Sequence, residues 1–248
     1  MISIFALIYK SVTFLESVYD SIQETVNLKE VEFFFLANNA TDEVLDHLNR
    51  HGLPHYVRKE PIMSKAEREA AGVDTALDYI SDVYLGWNEA FRRATGEVAI
   101  PVNSDHVFAP GWLDALMGQW RPGLAVSPVM FEPRVDHFPD RINGTGSIVV
   151  DCGSTPRRFD HKAFHSAIRG RCERGKVTAG GVYMPCAIHR QAAIDAGLYP
   201  PGNVKRPNRP VGFPGDQVFF ERLRNVGIEH QTCWTSFCYH FMEGEMKD

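Results

Sequence analysis

The run Val98-Ala99-Ile100-Pro101-Val102 stops at Asn103-Ser104-Asp105-His106, and Pro110-Gly111 breaks the chain a few residues later. A short apolar run that ends on small polar and metal-competent side chains reads as a strand delivering those groups to its carboxyl end. In open α/β sheets, ligands sit just outside that end. A carboxylate there, Asp105, is placed to hold a divalent cation; Mg²⁺ and Mn²⁺ prefer oxygen ligands and often share them with substrate phosphates. The same residues also read as a strand followed by an ordinary turn, so the rest of the chain has to decide. A second set with ligand chemistry is Cys152, His161, His165 and Cys172, spaced Cys-x8-His-x3-His-x6-Cys. Its two histidines can share one helix face and Cys2His2 suits zinc, but the outer spacings fit no zinc motif. The basic residues around it (Arg157, Arg158, Lys162, Arg169, Arg171, Arg174 and Lys176) could instead meet an acidic acceptor or a partner.

The elements that must position these groups follow from periodicity. Ile2 to Tyr9 reads as a first strand. Val12 to Leu28 carries Phe14, Leu15, Val18, Tyr19, Ile22 and Val26 at helical spacing. Glu32 to Leu36 is a buried strand, and Asn38-Asn39-Ala40-Thr41-Asp42 is a turn whose Thr41 or Asp42 caps the next helix. His55 to Val57 is a short third strand. Strand, helix, strand, helix, strand predicts a mostly parallel sheet with helices on its faces. Residues 59–75 read as a charged excursion into a helix over Leu77 to Ala94, followed by the strand that ends at Asn103. Trp112 to Trp120 is a helix, Leu124 to Phe131 a strand, and Ile148 to Asp151 a further strand. Residues 152–178 read as basic and irregular. Arg190 to Ala196 is a short helix ended by Gly197. Residues 200–215 hold five prolines and three glycines and read as a long loop of the kind often used as a lid. Asp216 to Asn225 is helical, and His230 to Phe241 is the last strand.

Composition bounds the function. The 248 residues, 44% of them hydrophobic, suit one domain with a sizeable core. A net charge of −5 argues against bulk binding to nucleic acid. No apolar run approaches the roughly 20 residues that span a bilayer. The apolar start lacks a basic leader and reads as a strand, not a signal peptide. Five cysteines without a Cys-x-x-Cys pair suggest free thiols in a reducing compartment, and the expected location is cytoplasmic. The sequons at Asn39 and Asn143 then read as chance matches. The one division to draw is a nucleotide-binding half of about 1–106 and a metal and acceptor half of about 107–248.

Several short features keep one order: the strand ending at Tyr9-Lys10; Phe35-Leu36-Ala37-Asn38-Asn39; Asn88-Glu89-Ala90 and Ala94-Thr95-Gly96-Glu97; Asn103-Ser104-Asp105; Gly180-Gly181-Val182-Tyr183; His189-Arg190 before Gly197-Leu198-Tyr199; Gly215-Asp216-Gln217; and Cys238-Tyr239-His240. In this order and spacing the chain resembles the family 2 glycosyltransferases of the GT-A fold over about residues 2–241. The resemblance implies an α/β, GT-A-like fold with a Rossmann-type nucleotide half. It implies that Tyr9 and Asn38 contact the nucleotide base, and that Asp105 coordinates a Mn²⁺ or Mg²⁺ ion bridging the donor's diphosphate, helped by Asn103 or Ser104. It implies Asp216 as general base and His240 as a metal or diphosphate ligand. Asn38 and Asn103 stand where the family usually has acids, and Gly215-Asp216 where it often has Glu-Asp. Lys205, Arg206 and Arg209 could close over the diphosphate or remain solvated loop charges. Plainer readings also exist: Tyr9 at the core edge, Asn38 in a turn, His240 in the core, and Asp216 as a helix cap, a role compatible with that of a base.

The implied reaction is an inverting, metal-dependent transfer of a sugar from a nucleotide-sugar, with UDP-sugar favoured, to a hydroxyl of a carbohydrate or other acceptor. A metal stabilises the departing diphosphate, a carboxylate takes the acceptor's proton, and attack from the opposite face needs no covalent intermediate. Two alternatives stand beside it. A nucleotidyltransferase would usually show a Gly-rich first loop, but Tyr9-Lys10-Ser11-Val12 has no glycine. A non-catalytic nucleotide- or carbohydrate-binding module is motivated by Asn38 and Asn103 and opposed by intact Asp105, Asp216 and His240.

Overall fold

Ile2–Ile8 forms β1, whose residues are almost all buried, as expected of a strand covered on both faces of a parallel sheet. The computed structural model describes residues 1–73, 78–133, 146–205, 213–242 and 244. After β1, Ser11 caps helix α1 (Val12–Thr25) by accepting the Phe14 N–H, and Phe14, Leu15, Val18 and Ile22 form its buried stripe. There follow β2 (Glu32–Asn38), α2 (Asp42–Arg50, capped by Thr41) and β3 (His55–Arg58). The charged excursion after β3 contains a short helix, α3 (Lys65–Ala70), started by a capping box between Ser64 and Glu67. Helix α4 (Asp78–Arg93) leads into β4 (Val98–Asn103).

These strands pair in the order β3-β2-β1-β4, all parallel, and a two-residue antiparallel strand (β9, below) closes the β4 edge. The chain therefore steps from β1 outward to β3 on one side and returns through α4 to β4 on the other. That reversal makes a crevice at the carboxyl ends of β1 and β4, where the register places Leu7 opposite Asn103.

A turn at Ser104-Asp105 carries the chain out of this sheet into β5 (His106–Phe108), the edge of a second sheet. Then come α5 (Trp112–Gln119), β6 (Leu124–Glu132) and β7 (Ser147–Val149). A 3-10 turn (Pro156–Arg158) and α6 (His161–Arg169) give residues 152–178 more order than composition predicts; Asp160 caps α6 and its apolar face includes buried Phe164. The last elements are β8 (Val177–Ala179), β9 (Ile188–His189), α7 (Arg190–Asp195), α8 (Gly215–Asn225) and β10 (Glu229–His240). The second sheet runs β5-β10-β6-β7, with β8 also on β10. Val126 of β6 exchanges two backbone hydrogen bonds with Ala187 just before β9, which joins the two sheets.

Strand β10 slips against β6 between Cys233 and Phe237. Its partner there, Pro128, has no N–H to give the ladder, which is the usual reason for such an irregularity. Beyond the slip, alternate residues face opposite ways. Phe237, Tyr239 and Phe241 join Phe131 and Phe164 in an aromatic core under α6, and His240 is left to the other face. The core of the first sheet has two further clusters, one under α1, α2 and α5 and one under α4, α7 and α8. Among the described residues no helix is long and apolar enough to cross a membrane.

Candidate functional site

Asp105 lies in the turn that leaves the first sheet, and antiparallel pairing sets His240 opposite His106. The Phe241 N–H donates to the Asp105 carbonyl at 3.0 Å, fixing the strand end to the turn. His240 then bridges two buried carboxylates. Its Nε2 lies 3.0 Å from Asp105 Oδ2 and its Nδ1 lies 2.9 Å from Glu132 Oε1. The Ser147 hydroxyl donates to the other Glu132 oxygen at 2.5 Å. Burial opposes charge on His240, but the Asp105 charge and hydrogen bond, with Glu132 behind them, outweigh it and hold the imidazolium up to about 10. Burial likewise opposes the charge of Asp105, and His240 still holds its carboxyl below the usual range.

His106 is the contrasting case. Its Nδ1 accepts the Asn103 N–H at 3.1 Å, and burial, with His240⁺ nearby, pulls its pKa down to about 3. The neutral ring thus carries its proton on Nε2 and has its Nδ1 lone pair engaged by the Asn103 N–H, whereas His240, held as the imidazolium, would give up its Nε2 proton on taking a cation. Asp105, His106 and His240 offer ligand atoms that all lie within 4.8 Å of one another, the one such group among the described residues. Asp105 Oδ1 is buried with no hydrogen-bond partner. An unpaired carboxylate oxygen beside two imidazoles fits a divalent cation, which would supply the missing partner.

After β10 the chain passes back over this group. Met242 and Gly244 both have positive φ (69° and 58°). A side chain at 244 would begin 3.9 Å from Asp105 Oδ2.

Asp216 sits in the first turn of α8, with its carboxylate accepting the Gln217 N–H at 2.8 Å; the cap position itself is Pro214. Its own N–H donates to the Tyr84 hydroxyl at 3.2 Å. Tyr84 stacks on Tyr199 at 5.4 Å and 9°. Burial raises the phenol pKa of Tyr84, Tyr183 and Tyr199, and the Asp216 charge raises each further, so these rings stay neutral around the carboxylate. A Cβ on Gly215 would come within 2.4 Å of the Tyr84 ring and 2.8 Å of the Gly202 carbonyl. That contact is the physical reason for Gly-Asp here and not Glu-Asp.

The other predicted residues are placed as follows. Tyr9 follows β1 at the crevice and is exposed, and Ser104 is buried in the Asp105 turn. Asn38, at the end of β2, is buried, and its amide is engaged inside the protein. It donates to the Asp82 carbonyl (3.1 Å) and carboxylate (3.0 Å) and accepts from Arg58 (2.7 Å). Arg58 and Asp82 form a largely buried ion pair at 2.7 Å, to which Asn39 adds a 2.9 Å hydrogen bond. Gly86 permits this approach, since a Cβ there would lie 2.9 Å from Asn38 Cγ. Lys205 is exposed, beside the bridge of Val204 to Val73 and Phe213. Arg206, Arg209 and the Asn143 sequon lie outside the described residues. The set Cys152, His161, His165 and Cys172, whose spacing fits no zinc motif, forms no such site: Cys152 is buried beneath α6, His161, His165 and Cys172 face solvent, and the four do not converge.

Sequence reasoning passed over Glu132, Arg58 and Asp82 and gave His106 no role of its own. Glu132 carries the signal that singled out Asp105, an acid ending a fully buried strand. Asp82 gives no such signal, because an acid on a helix is ordinary.

No protein-family profile and no curated protein sequence matches the chain. Solved structures do match its fold. They include GalNAc-T7 crystallised with UDP, GalNAc and Mn²⁺, at 14% identity and a TM-score of 0.61, covering 97% of this chain and 43% of that one. Residues 1–349 of S. aureus TarS match at 12% identity and 0.57, covering 96% and 60%. The mannosyltransferase PcManGT from Pyrobaculum calidifontis, in complex with GDP-Man and Mn²⁺, matches at 15% and 0.56, covering 99% and 58%. The chain spans about half the length of these neighbours. The switch-point crevice, the mostly parallel sheets and these likenesses together give the chain the mixed α/β fold of the GT-A-type glycosyltransferases.

Proposed function

We propose that the protein is an inverting, metal-dependent glycosyltransferase that moves a sugar from a nucleotide-diphosphate sugar, UDP-sugar in the first instance, to an acceptor hydroxyl. The observation that carries the reading is the unpaired, buried Asp105 Oδ1 within a carboxylate and imidazole group at the switch-point crevice. The similarity to structures holding UDP or GDP-Man with Mn²⁺ supports it.

In this reading Asp105 and His240 hold a Mn²⁺ or Mg²⁺ ion. Glu132 fixes the His240 ring through Nδ1, so that Nε2 is the atom turned to the ion. When bound, the ion supplies Lewis-acid stabilisation of the diphosphate leaving group. Tyr9 lies beside the base at the end of β1. Asn103 and Ser104 line the diphosphate. Asn38 serves the base through the Arg58–Asp82 network that it anchors. Asp216 accepts the acceptor's hydroxyl proton as the oxygen attacks, and the Tyr84, Tyr183 and Tyr199 rings keep bulk water from that carboxylate. Lys205, Arg206 and Arg209 serve as diphosphate contacts. Residues of about 1–106 act as the nucleotide half and about 107–248 as the metal and acceptor half.

The test is release of nucleoside diphosphate from a panel of UDP-, GDP-, CDP- and dTDP-sugars with Mn²⁺. One donor should turn over, and Asp216→Asn should abolish the release while the nucleotide still binds. Nucleotide binding without release from any donor would leave the binding-module reading in its place.

A further inference from the structure

Residues 157–176 hold seven Lys and Arg against two acids, a net of +5 in twenty residues of a chain whose total is −5, so the remainder carries −10. The fold turns this charge outward. Ala163, Phe164, Ala167 and Ile168 of α6 pack on the aromatic core, which leaves Lys162 and Arg169 on the exposed face with His161 and His165. Among the described residues no carboxylate pairs with Arg158, Lys162, Arg169 or Arg174; Lys176 pairs with Glu173 and lies over the Trp234 ring. Unpaired like charges on one short segment repel one another, and nothing in the packing of α6 requires them.

The segment is also tied to the candidate site. Phe159 packs on Tyr239 and Phe241, the residues on either side of His240 (5.0 and 5.4 Å between ring centres). The Tyr239 hydroxyl accepts the Cys152 N–H and donates to the Gly153 carbonyl. At the other side, Arg157 donates to the Thr13 hydroxyl, two residues beyond the Ser11 cap that follows the β1 exit. The segment thus backs the end of β10 on the face opposite His240, and its Arg157 end reaches the β1 exit.

We infer that this face binds an acceptor that is itself a polyanion, a polymer bearing repeated phosphate or carboxylate groups, and leads it toward the crevice at the Arg157 end. The inference rests on the transferase reading and adds the acceptor's class to it. A soluble polymer fits better than a membrane surface. The outer face of α6 carries no large hydrophobic side chain to insert between lipids.

The experiment uses the full chain and inorganic polyphosphate as probe, read by fluorescence anisotropy at increasing salt. Wild type should bind, with affinity falling steeply as salt rises, because binding releases counterions. The variant Lys162→Glu/Arg169→Glu/Arg174→Glu should lose at least tenfold in affinity, and the milder Lys162→Gln/Arg169→Gln/Arg174→Gln should lose part of it. Both variants should keep the wild-type melting shift with nucleotide and Mn²⁺, which separates this test from failure of the transferase reading itself. Polyphosphate and nucleotide should bind together. Equal binding by wild type and the variants, displacement of the nucleotide by the polymer, or binding confined to vesicles of anionic phosphatidylglycerol would each overturn the inference.

Discussion

Asp105 has one oxygen on His240 and one that meets nothing. That asymmetry suits the proposed cation site, in which Glu132 would keep the His240 ring in order. Glu132→Gln keeps the shape and loses the charge behind His240, so Mn²⁺ affinity measured by calorimetry should weaken by about 10- to 100-fold with the fold intact. Asp216→Asn should lower kcat by about 10²- to 10⁴-fold and leave nucleotide binding unchanged; equal losses in both would mean that Asp216 is structural. The place of Asp105 just past a strand end could be read from sequence, because it needs no tertiary information. His240 could be placed only by resemblance, since its partners lie 108 and 135 residues away in the chain. Asn38 shows the opposite limit. Its type and place suggested a ligand contact, and only the structure shows its amide shared among Asp82 and Arg58.

Elements with clean periodicity, such as α1 and α4, fall within a few residues of where the sequence puts them. The basic stretch was the poorest match. Its nine-residue helix α6 has buried Phe164 as its main anchor, too short a pattern to stand out from charge. The Gly215–Tyr84 contact was invisible for another reason, because it joins α4 to α8 across the chain. Gly215→Ala puts a methyl group into the Tyr84 ring, so it should destabilise by about 1–3 kcal/mol in chemical denaturation. Between β2, β3 and α4, Asp82→Ala leaves Arg58 buried without its partner; the expected cost is about 3–5 kcal/mol. A loss near zero would show the pair to be solvated.

At the scale of the whole molecule, the strand order β3-β2-β1-β4 follows from the alternation of helix and strand that periodicity already displays. The second sheet does not, because β10 threads between β5 and β6 through contacts far apart in sequence. Buried histidines tie global stability to pH. His230, against Ser127 and the Phe220 ring, is pulled down by burial to about 3 from 6.5. Below pH 6.5 the unfolded chain takes up a proton that native His230 refuses, so stability falls toward pH 3 by up to about 1.4 kcal/mol per pH unit from this group. His230→Gln should flatten that slope in urea melts across the window, and an unchanged slope would remove His230 from the account.

In the proposed function Asp105 organises a cation, which in turn holds a nucleotide diphosphate. The direct measurement is the melting temperature with UDP, GDP, CDP or dTDP, each with and without Mn²⁺, for wild type and Asp105→Ala. One nucleotide should give a shift that grows with Mn²⁺ and disappears in Asp105→Ala. No shift with any of the four, or one indifferent to both Mn²⁺ and Asp105, would contradict it.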